Sequence, residues 1–211
     1  MTSSGASRRP SERGTGRGER RRAALVRALE ELLSSQSLGT ISTGAIAKTA
    51  GVSRTAFYFY FPNKAAAVVV LFEGVCRELL DTWGMWRNEG RVPRAQLSSG
   101  FQRVGAYWRA NARLLVAVFD AIGGDAGVRR CWGHWSDTLV KHVAAKIVAE
   151  RKAGNAPWGP DAEAMAVALV GMNERAIERE VRSVVKGKKP SRLLADVLFQ
   201  VWHRSIYGRE G

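Results

Sequence analysis

The stretch that decides the fold is residues 42–64, STGAIAKTAGVSRTAFYFYFPNK. Its apolar and small residues predict two short helices, over 43–50 and 54–60. Ser42 precedes the first and Ser53 the second, and a serine at that position caps a helix by accepting a hydrogen bond from a free backbone N–H. The stretch therefore has two separate helix starts in close succession.

The two predicted helices are joined by the tight turn Gly51-Val52-Ser53. Gly51 suits the left-handed backbone conformation that often ends a helix. Pro62 ends the second helix, because the residue before a proline is pushed out of the α region. Two short helices joined this way predict a helix-turn-helix, whose second helix enters the major groove of DNA. The positions that would hold the helices together are small or apolar: Ile46, Ala47, Ala50, Val52, Ala56 and Phe57.

A competing interpretation takes the aromatic run at 57–61, FYFYF, as a buried β-strand, since aromatic residues favour strands. The run is only five residues long and is clipped by Pro62. No partner strand is apparent elsewhere in the sequence. The helical interpretation is favoured.

The combined motif resembles that of TetR-type regulators, roughly I-A-x-x-A-G-V-S-x-x-x-x-Y-x-x-F-x-x-K. The matching positions are Ile46-Ala47, Ala50-Gly51-Val52-Ser53, Tyr58, Phe61 and Lys64. The resemblance implies a sequence-specific transcriptional regulator, typically a repressor, although the residues do not distinguish a repressor from an activator. Arg54 is then the best candidate for bidentate bonds to a guanine, and Thr43 and Lys64 are expected to bind phosphates. The DNA-binding residues implied are Thr43, Ser53, Arg54, Thr55, Tyr58, Tyr60 and Lys64.

Outside this stretch, helical periodicity recurs between Gly- and Pro-containing breaks, which predicts an all-α protein of about nine helices. We expect a helix-turn-helix domain over 19–64 and a larger helical ligand-binding and dimerisation domain over 65–211. The remaining helices are predicted at 19–34, 63–86, 94–110, 112–122, 126–152, 161–182 and 191–207, with a joint at 88–93.

The chain has 211 residues, 45% of them hydrophobic, which is ample for a buried core. Its net charge of +14 favours polyanionic partners such as DNA. Cys76 and Cys131 show neither disulfide-framework nor zinc spacing, so no metal or other cofactor is expected. A reducing cytoplasm fits this cysteine usage.

Residues 1–18 are predicted to be a disordered basic tail, because Ser, Gly and Arg bury too little apolar surface to offset the entropy of ordering. Either the tail contacts DNA phosphates or it is merely solvated. No apolar run approaches the roughly 20 residues that span a bilayer, and no signal-peptide segment is evident. We expect a cytoplasmic protein with no membrane partner.

The helical domain resembles one branch of the same family at Met172-Asn173-Glu174-Arg175 and at 202–208. That resemblance implies a long apolar channel for a small hydrophobic effector, anchored by an asparagine at the position of Asn173. Val170 replaces a second anchor asparagine. Aromatic residues on the predicted helices are compatible with such a pocket, although they also suit an ordinary core. The ligand-binding candidates are Asn173, Trp108, Phe119, Trp132, Trp135, Met172 and Trp202.

The predicted helices 161–182 and 191–207 match the family's dimer interface, so a homodimer on a roughly palindromic operator is expected. A non-specific architectural DNA-binding protein is the main alternative, since high basicity alone would support one. An enzyme is less favoured. The histidines, His134, His142 and His203, pair with no Cys or carboxylate at a catalytic spacing.

Overall fold

The computed structural model describes residues 11–82, 93–191 and 193–208. Every regular element in these ranges is an α-helix, which confirms the expected all-α class. The helices are α1 Ser11–Leu33, α2 Thr43–Thr49, α3 Arg54–Tyr60, α4 Lys64–Thr82, α5 Arg94–Ala110, α6 Ala112–Ile122, α7 Ala126–Lys152, α8 Ala162–Val185 and α9 Leu194–Tyr207.

The predicted starts and ends of α5, α6 and α7 are those observed. Helix α8 starts where its cap dictates, because the Asp161 carboxylate accepts a hydrogen bond from the Ala164 N–H at 2.8 Å. It continues past the predicted end at residue 182, to Val185. Gly187, with φ of 79°, then turns the chain.

The predicted start of α1 at Glu19 is wrong. The helix begins at Ser11, so residues 11–18 of the expected disordered tail are helical. Once a helix is nucleated, each added residue gains a hydrogen bond at little further cost. Helix α1 therefore extends from its C-terminal half, which is rich in helix-forming residues, toward the N-terminus through a segment that contains three glycines. Residues 1–10 of the tail, residues 83–86 of the predicted long helix and residues 88–92 of the predicted joint lie outside the described residues.

Backbone contacts divide the chain into two compact units, between Val68 and Val69. In the first unit α1 packs on α2 and α2 on α3. Leu25 and Leu29 present the apolar face of α1, and both are fully buried. Ile46 and Phe57 are also fully buried, one from each helix of the predicted helix-turn-helix. The aromatic run at 57–61 is therefore helical in all but its last residue, and the strand interpretation is excluded.

The second unit is a helical bundle in which α8 packs against α5, α6 and α7, and α9 against α5. Trp202 lies fully buried in its core, with its ring 5.5 Å from that of Phe101. Ile147 from α7 and Leu169 from α8 belong to the same apolar cluster. This bundle holds the residues that the sequence singled out for ligand binding.

Across the described residues, no single helix is long and apolar enough to cross a membrane. One helix pair, Arg54–Tyr60 with Lys64–Leu80, passes that test by length and composition, with a bend of 58° between its members.

Candidate DNA-reading surface and apolar cleft

The turn between α2 and α3 is fixed by backbone hydrogen bonds at the end of α2. The Val52 N–H bonds to the Ala47 carbonyl at 3.0 Å, and the Gly51 N–H bonds to the Lys48 carbonyl at 3.1 Å. This pairing is a Schellman motif, which requires a left-handed residue where Gly51 has φ of 67°. The glycine thus sets the direction in which α3 leaves the turn.

Both short helices are capped as the sequence predicts. The Ser42 hydroxyl accepts from the Ala45 N–H at 3.0 Å, and the Ser53 hydroxyl accepts from the Ala56 N–H at 3.1 Å. Each cap satisfies a backbone donor that the helix itself leaves free. The caps fix the start of each helix and so define which side chains face outward.

Helix α3 has one buried face and one exposed face. Phe57 is fully buried and packs on Phe61, with ring centroids 5.8 Å apart. Ser53, Arg54 and Thr55 are exposed at the start of the helix. This exposed start is where a recognition helix presents side chains and N–H groups to DNA.

Tyr58 contacts two other predicted DNA-binding residues. Its hydroxyl lies 3.1 Å from the Thr43 hydroxyl and 3.5 Å from the Arg54 guanidinium. The guanidinium also lies over the Tyr58 ring, 5.8 Å from its centroid. The hydrogen bonds with Thr43 and Arg54 lower the pKa of Tyr58. These contacts join α2 to the outer face of α3 and restrict where Arg54 points.

Lys64 does not lie on this surface as expected. Its ammonium group donates hydrogen bonds to the backbone carbonyls of Leu38, Gly39 and Ile41, the last at 2.9 Å. An ammonium has three N–H donors, so these carbonyls occupy its full capacity. In this arrangement Lys64 ties the first residue of α4 to the α1–α2 loop, and it has no free donor for a phosphate.

Tyr60 is half-buried, and its ring packs edge-on against Phe59 with centroids 5.0 Å apart. Phe59 itself is 81% exposed, although the sequence analysis did not select it. Helical spacing could have identified Phe59 from the sequence, because it lies one turn after Thr55 and so on the same exposed face. An apolar ring that is this exposed on the outer face of α3 belongs with the candidate contacts.

Two clefts adjoin in the helical unit. They enclose about 420 and 490 Å³ of space free of protein atoms, part of it open to solvent. Their enclosed parts have room for little more than a water molecule, about 30 Å³ each. Both clefts are lined by Val104, Trp108, Asn173 and Ile177.

Five of the seven predicted ligand-binding residues line these clefts. Trp108 and Asn173 line both, and the second cleft adds Trp132, Trp135 and Trp202. Phe119 lies elsewhere, edge-on against the Trp132 ring at 4.9 Å, where it supports the wall from behind. Met172 lines a separate open groove with Arg175 and Arg179, because it is adjacent to Asn173 on α8 and so faces another way.

Asn173 is held by Trp202. The indole N–H donates to the Asn173 side-chain oxygen at 3.0 Å. Because an indole nitrogen can only donate a hydrogen bond, the atom of Asn173 that faces Trp202 is the amide oxygen. The amide NH₂ group of Asn173 points away from this hydrogen bond. Asn173 therefore has an oriented side chain whose remaining polar group is a hydrogen-bond donor.

Two acidic residues that the sequence analysis did not select also line the clefts. Glu180, in the first cleft, forms an ion pair with Arg109 at 3.2 Å. Glu174, in the second, has one carboxylate oxygen that is buried and accepts no hydrogen bond from the described residues. Burial raises the pKa of Glu174, and a hydrogen bond with Ser136 partly offsets this effect. Only the folded structure distinguishes such residues from surface acids.

Comparison with known proteins agrees with both units. Residues 25–68 match the family model described as bacterial regulatory proteins of the tetR family. Residues 97–208 match the model for the C-terminal domain of the transcriptional regulator EthR. Among solved structures, Thermus thermophilus FadR in complex with lauroyl-CoA is 22% identical, with a TM-score of 0.62, covering 90% of this chain and 97% of its own. A putative TetR-family regulator from Mesorhizobium loti is 17% identical, with a TM-score of 0.67, covering 90% and 98%.

The capped helix-turn-helix and the helical unit that follows it in the sequence define a TetR-type transcriptional regulator, and the chain belongs to that family. Within the family it is similar to the HTH-type transcriptional regulators named EthR. The Mycobacterium tuberculosis protein is 32% identical, with 99% of both chains covered. The Mycolicibacterium smegmatis protein is 30% identical, covering 99% of this chain and 97% of its own.

Proposed function

We propose that the protein binds a specific, roughly palindromic DNA operator and represses transcription there. The observation that carries this proposal is the capped helix α3, whose exposed start bears Ser53, Arg54 and Thr55. Arg54 would form paired hydrogen bonds with a guanine in the major groove. Thr43 and Tyr58 would contact the phosphate backbone beside it, and Phe59 would pack against the groove wall.

Lys64 takes a different role in this proposal. By bonding to the loop carbonyls it positions α2 and α3 relative to the start of α4. It would therefore support DNA binding without contacting DNA. The remaining positive charge, including the arginines of the N-terminal segment, would add affinity that is independent of sequence.

The effector would be a small apolar molecule bound in the two adjoining clefts. Indole rings and aliphatic side chains form most of the walls, and the Asn173 amide supplies a polar anchor. The structural relative from Thermus thermophilus, which has the same fold, is in complex with lauroyl-CoA, a ligand with an apolar acyl chain. Because the enclosed space is small in this conformation, ligand entry would require the helices lining the clefts to separate.

We further propose a homodimer formed through α8 and α9. Both helices expose large apolar side chains, which a second copy of the chain would bury: Val167, Val197 and Val201. Leu193, immediately before α9, is also exposed. Two copies related by a two-fold axis would present two reading helices to successive major grooves.

The link between effector and DNA would be α4. This helix begins at Lys64, which is bonded to the α1–α2 loop, and continues without interruption to Thr82 in the second unit. A ligand that binds one conformation of the helical bundle more tightly than another would shift the protein toward that conformation. Through α4, this shift would change the distance between the two α3 helices of the dimer. We place the protein in the cytoplasm, where it would meet its operator, and we expect it to have no catalytic activity.

Selection of bound sequences from a random DNA pool tests the proposal. We expect one strong palindrome to be enriched by the purified full-length chain. Enrichment without sequence preference would establish the architectural alternative instead. Once the palindrome is known, apolar compounds that bind the protein should weaken its affinity for that DNA, and unchanged affinity would contradict the ligand part of the proposal.

A further inference from the structure

Glu174 is a charge in an apolar cleft. It lies on α8 and lines the second cleft together with four indole side chains, those of Trp108, Trp132, Trp135 and Trp202. One of its carboxylate oxygens has less than 1 Å² of exposed surface and no hydrogen-bond partner among the described residues. A buried carboxylate oxygen without a partner is costly, so its presence at a cleft wall requires an explanation.

Two other acidic residues of the bundle form ion pairs. Glu180 forms its ion pair with Arg109, and Glu150 forms one with Lys146 at 2.8 Å. The contact identified for Glu174 is different in kind, since the Ser136 hydroxyl is a neutral donor. Burial and the hydrogen bond with Ser136 are the resolved influences on the pKa of Glu174, and no ion pair with Glu174 occurs among the described residues. The second cleft therefore has at its wall a carboxyl group that forms no ion pair within the described part of the chain.

The walls around this carboxylate are suited to a positive charge as well. Indole rings have electron-rich faces that attract ammonium groups, most strongly where water is excluded. Trp108 and Trp135 lie edge to face with centroids 6.4 Å apart, so their rings bound the cleft in two different planes. A carboxylate among several indoles is a suitable receptor for a cation attached to an apolar body.

We propose that the effector carries a cationic amine head, which binds Glu174 in the second cleft while its apolar part lies along the tryptophan walls. This inference rests on the proposed apolar effector and names its chemical class. The NH₂ group of Asn173, at the junction of the clefts, then bonds a neutral acceptor farther along the same ligand. Neutral and anionic apolar molecules lack the partner that the carboxylate requires.

The test compares three probes of equal chain length below their micelle concentrations: decylammonium, decanol and decanoate. Binding to the full-length protein is measured by isothermal titration calorimetry. We expect decylammonium to bind roughly tenfold or more tightly than decanol, because a charge-assisted hydrogen bond is added. Decanoate should bind most weakly. The net charge of +14 attracts anions to the surface in general, so preference for the cation reports a local negative site.

Glu174→Gln keeps the size and the hydrogen bond to Ser136 but removes the charge. We expect it to lower decylammonium affinity roughly tenfold and to leave decanol affinity within twofold. Glu178→Gln is the matched control on the same helix, because Glu178 is paired with Arg175 and Arg182 and should leave all three affinities unchanged. Retained decanol binding also shows that each variant is folded.

Equal binding of decylammonium and decanol, or an equal loss of both in Glu174→Gln, would overturn the amine assignment and leave the apolar-effector proposal standing. If none of the three probes binds, both proposals fail. Tighter binding of decanoate than of decylammonium would overturn the assignment in favour of an anionic head.

Discussion

Arg54 and Lys64 are two cations in the same helix-turn-helix unit, and their surroundings assign them different roles. Arg54 is exposed, and its guanidinium contacts the hydroxyl and the ring of Tyr58. Lys64 is half-buried and bonded to backbone carbonyls. An exposed arginine such as Arg54 can leave its contact with Tyr58 and bind DNA. A lysine bonded to backbone carbonyls, such as Lys64, instead stabilises the fold of the unit.

Arg54→Ala should therefore relax base preference at one operator position, with a loss of about 1–3 kcal/mol in discrimination against the wrong base. The thermal stability of the unit should change little, since Arg54 is exposed. Repeating the random-pool selection with the variant measures the effect. An unchanged consensus would rule out Arg54 as a base-reading residue.

Lys64→Met should lower the stability of the protein by about 1–3 kcal/mol, because three loop carbonyls, two of them in part-buried hydrogen bonds, lose their donor. DNA affinity should then fall by a similar factor on specific and random sequences. Thermal unfolding and titration with both kinds of DNA measure these effects. Lys48→Met is the control, since Lys48 is exposed and its loss should leave stability nearly unchanged. Unaltered stability of Lys64→Met with a flatter salt dependence would show a phosphate contact after all.

Glu174 also predicts a pH dependence. Its pKa is raised by burial above the ordinary value of 4.5, so the folded protein binds this proton more tightly than the unfolded chain. Glu174 therefore reduces stability as the pH rises from about 4.5 through the folded-state pKa. Glu174→Gln should unfold at a higher temperature at neutral pH, and the gain should vanish in acid.

Glu178→Gln should act in the opposite direction. Despite partial burial, hydrogen bonds from Arg182 and Arg175 lower the pKa of Glu178. Glu178 thus adds stability above its ordinary pKa, and this contribution disappears as the pH falls through the folded-state value. Calorimetry between acid and neutral pH measures the unfolding temperatures of both variants. If both substitutions shifted the unfolding temperature at neutral pH in the same direction, this account would be contradicted.

At the scale of elements, the α2–α3 turn depends on the backbone conformation of Gly51. A Cβ there meets no atom within 4 Å, but φ is 67°, so Gly51→Ala is strained without a clash. We expect a cost of about 1–2 kcal/mol in stability. Gly74→Ala is the matched control, because Gly74 lies within α4, also has open space around its Cβ position and should gain about 0.5–1 kcal/mol. Equal unfolding temperatures of the two variants would show that the turn tolerates a different geometry.

Element boundaries were predictable wherever a local signal sets them. Ser53 and Pro62 bracket α3, and Asp125 caps α7 through bonds to two N–H groups. The start of α1 was not predictable in this way, because propagation of a long helix overrides three weak residues. The partners of Lys64 depend on chain segments that are distant in sequence, and so does the burial of the Glu174 oxygen that has no partner among the described residues. A sequence pattern can indicate that a position such as Lys64 matters, but it does not specify which residues that side chain contacts.

At the scale of the whole molecule, the proposed action depends on two copies of the chain bound to one operator. The apolar side chains that a second copy would bury include two on α9: Val197 is 53% exposed and Val201 38%. Together with Leu193 they follow a helical spacing of four residues, which forms one continuous stripe. A two-fold axis would place this stripe against its copy.

Val197→Glu should therefore convert the protein to a monomer, because a two-fold axis brings the new carboxylates together within an apolar interface. Sedimentation should show half the mass, and affinity for the full palindrome should fall roughly 100-fold or more, since two linked contacts become one. Affinity for a single half-site should stay the same, because the reading head is intact. Val148→Glu on α7 is the control, as Val148 is 39% exposed, close to Val201, but lies outside the two proposed interface helices. A dimeric Val197→Glu variant, or equal losses at the palindrome and the half-site, would place the interface elsewhere.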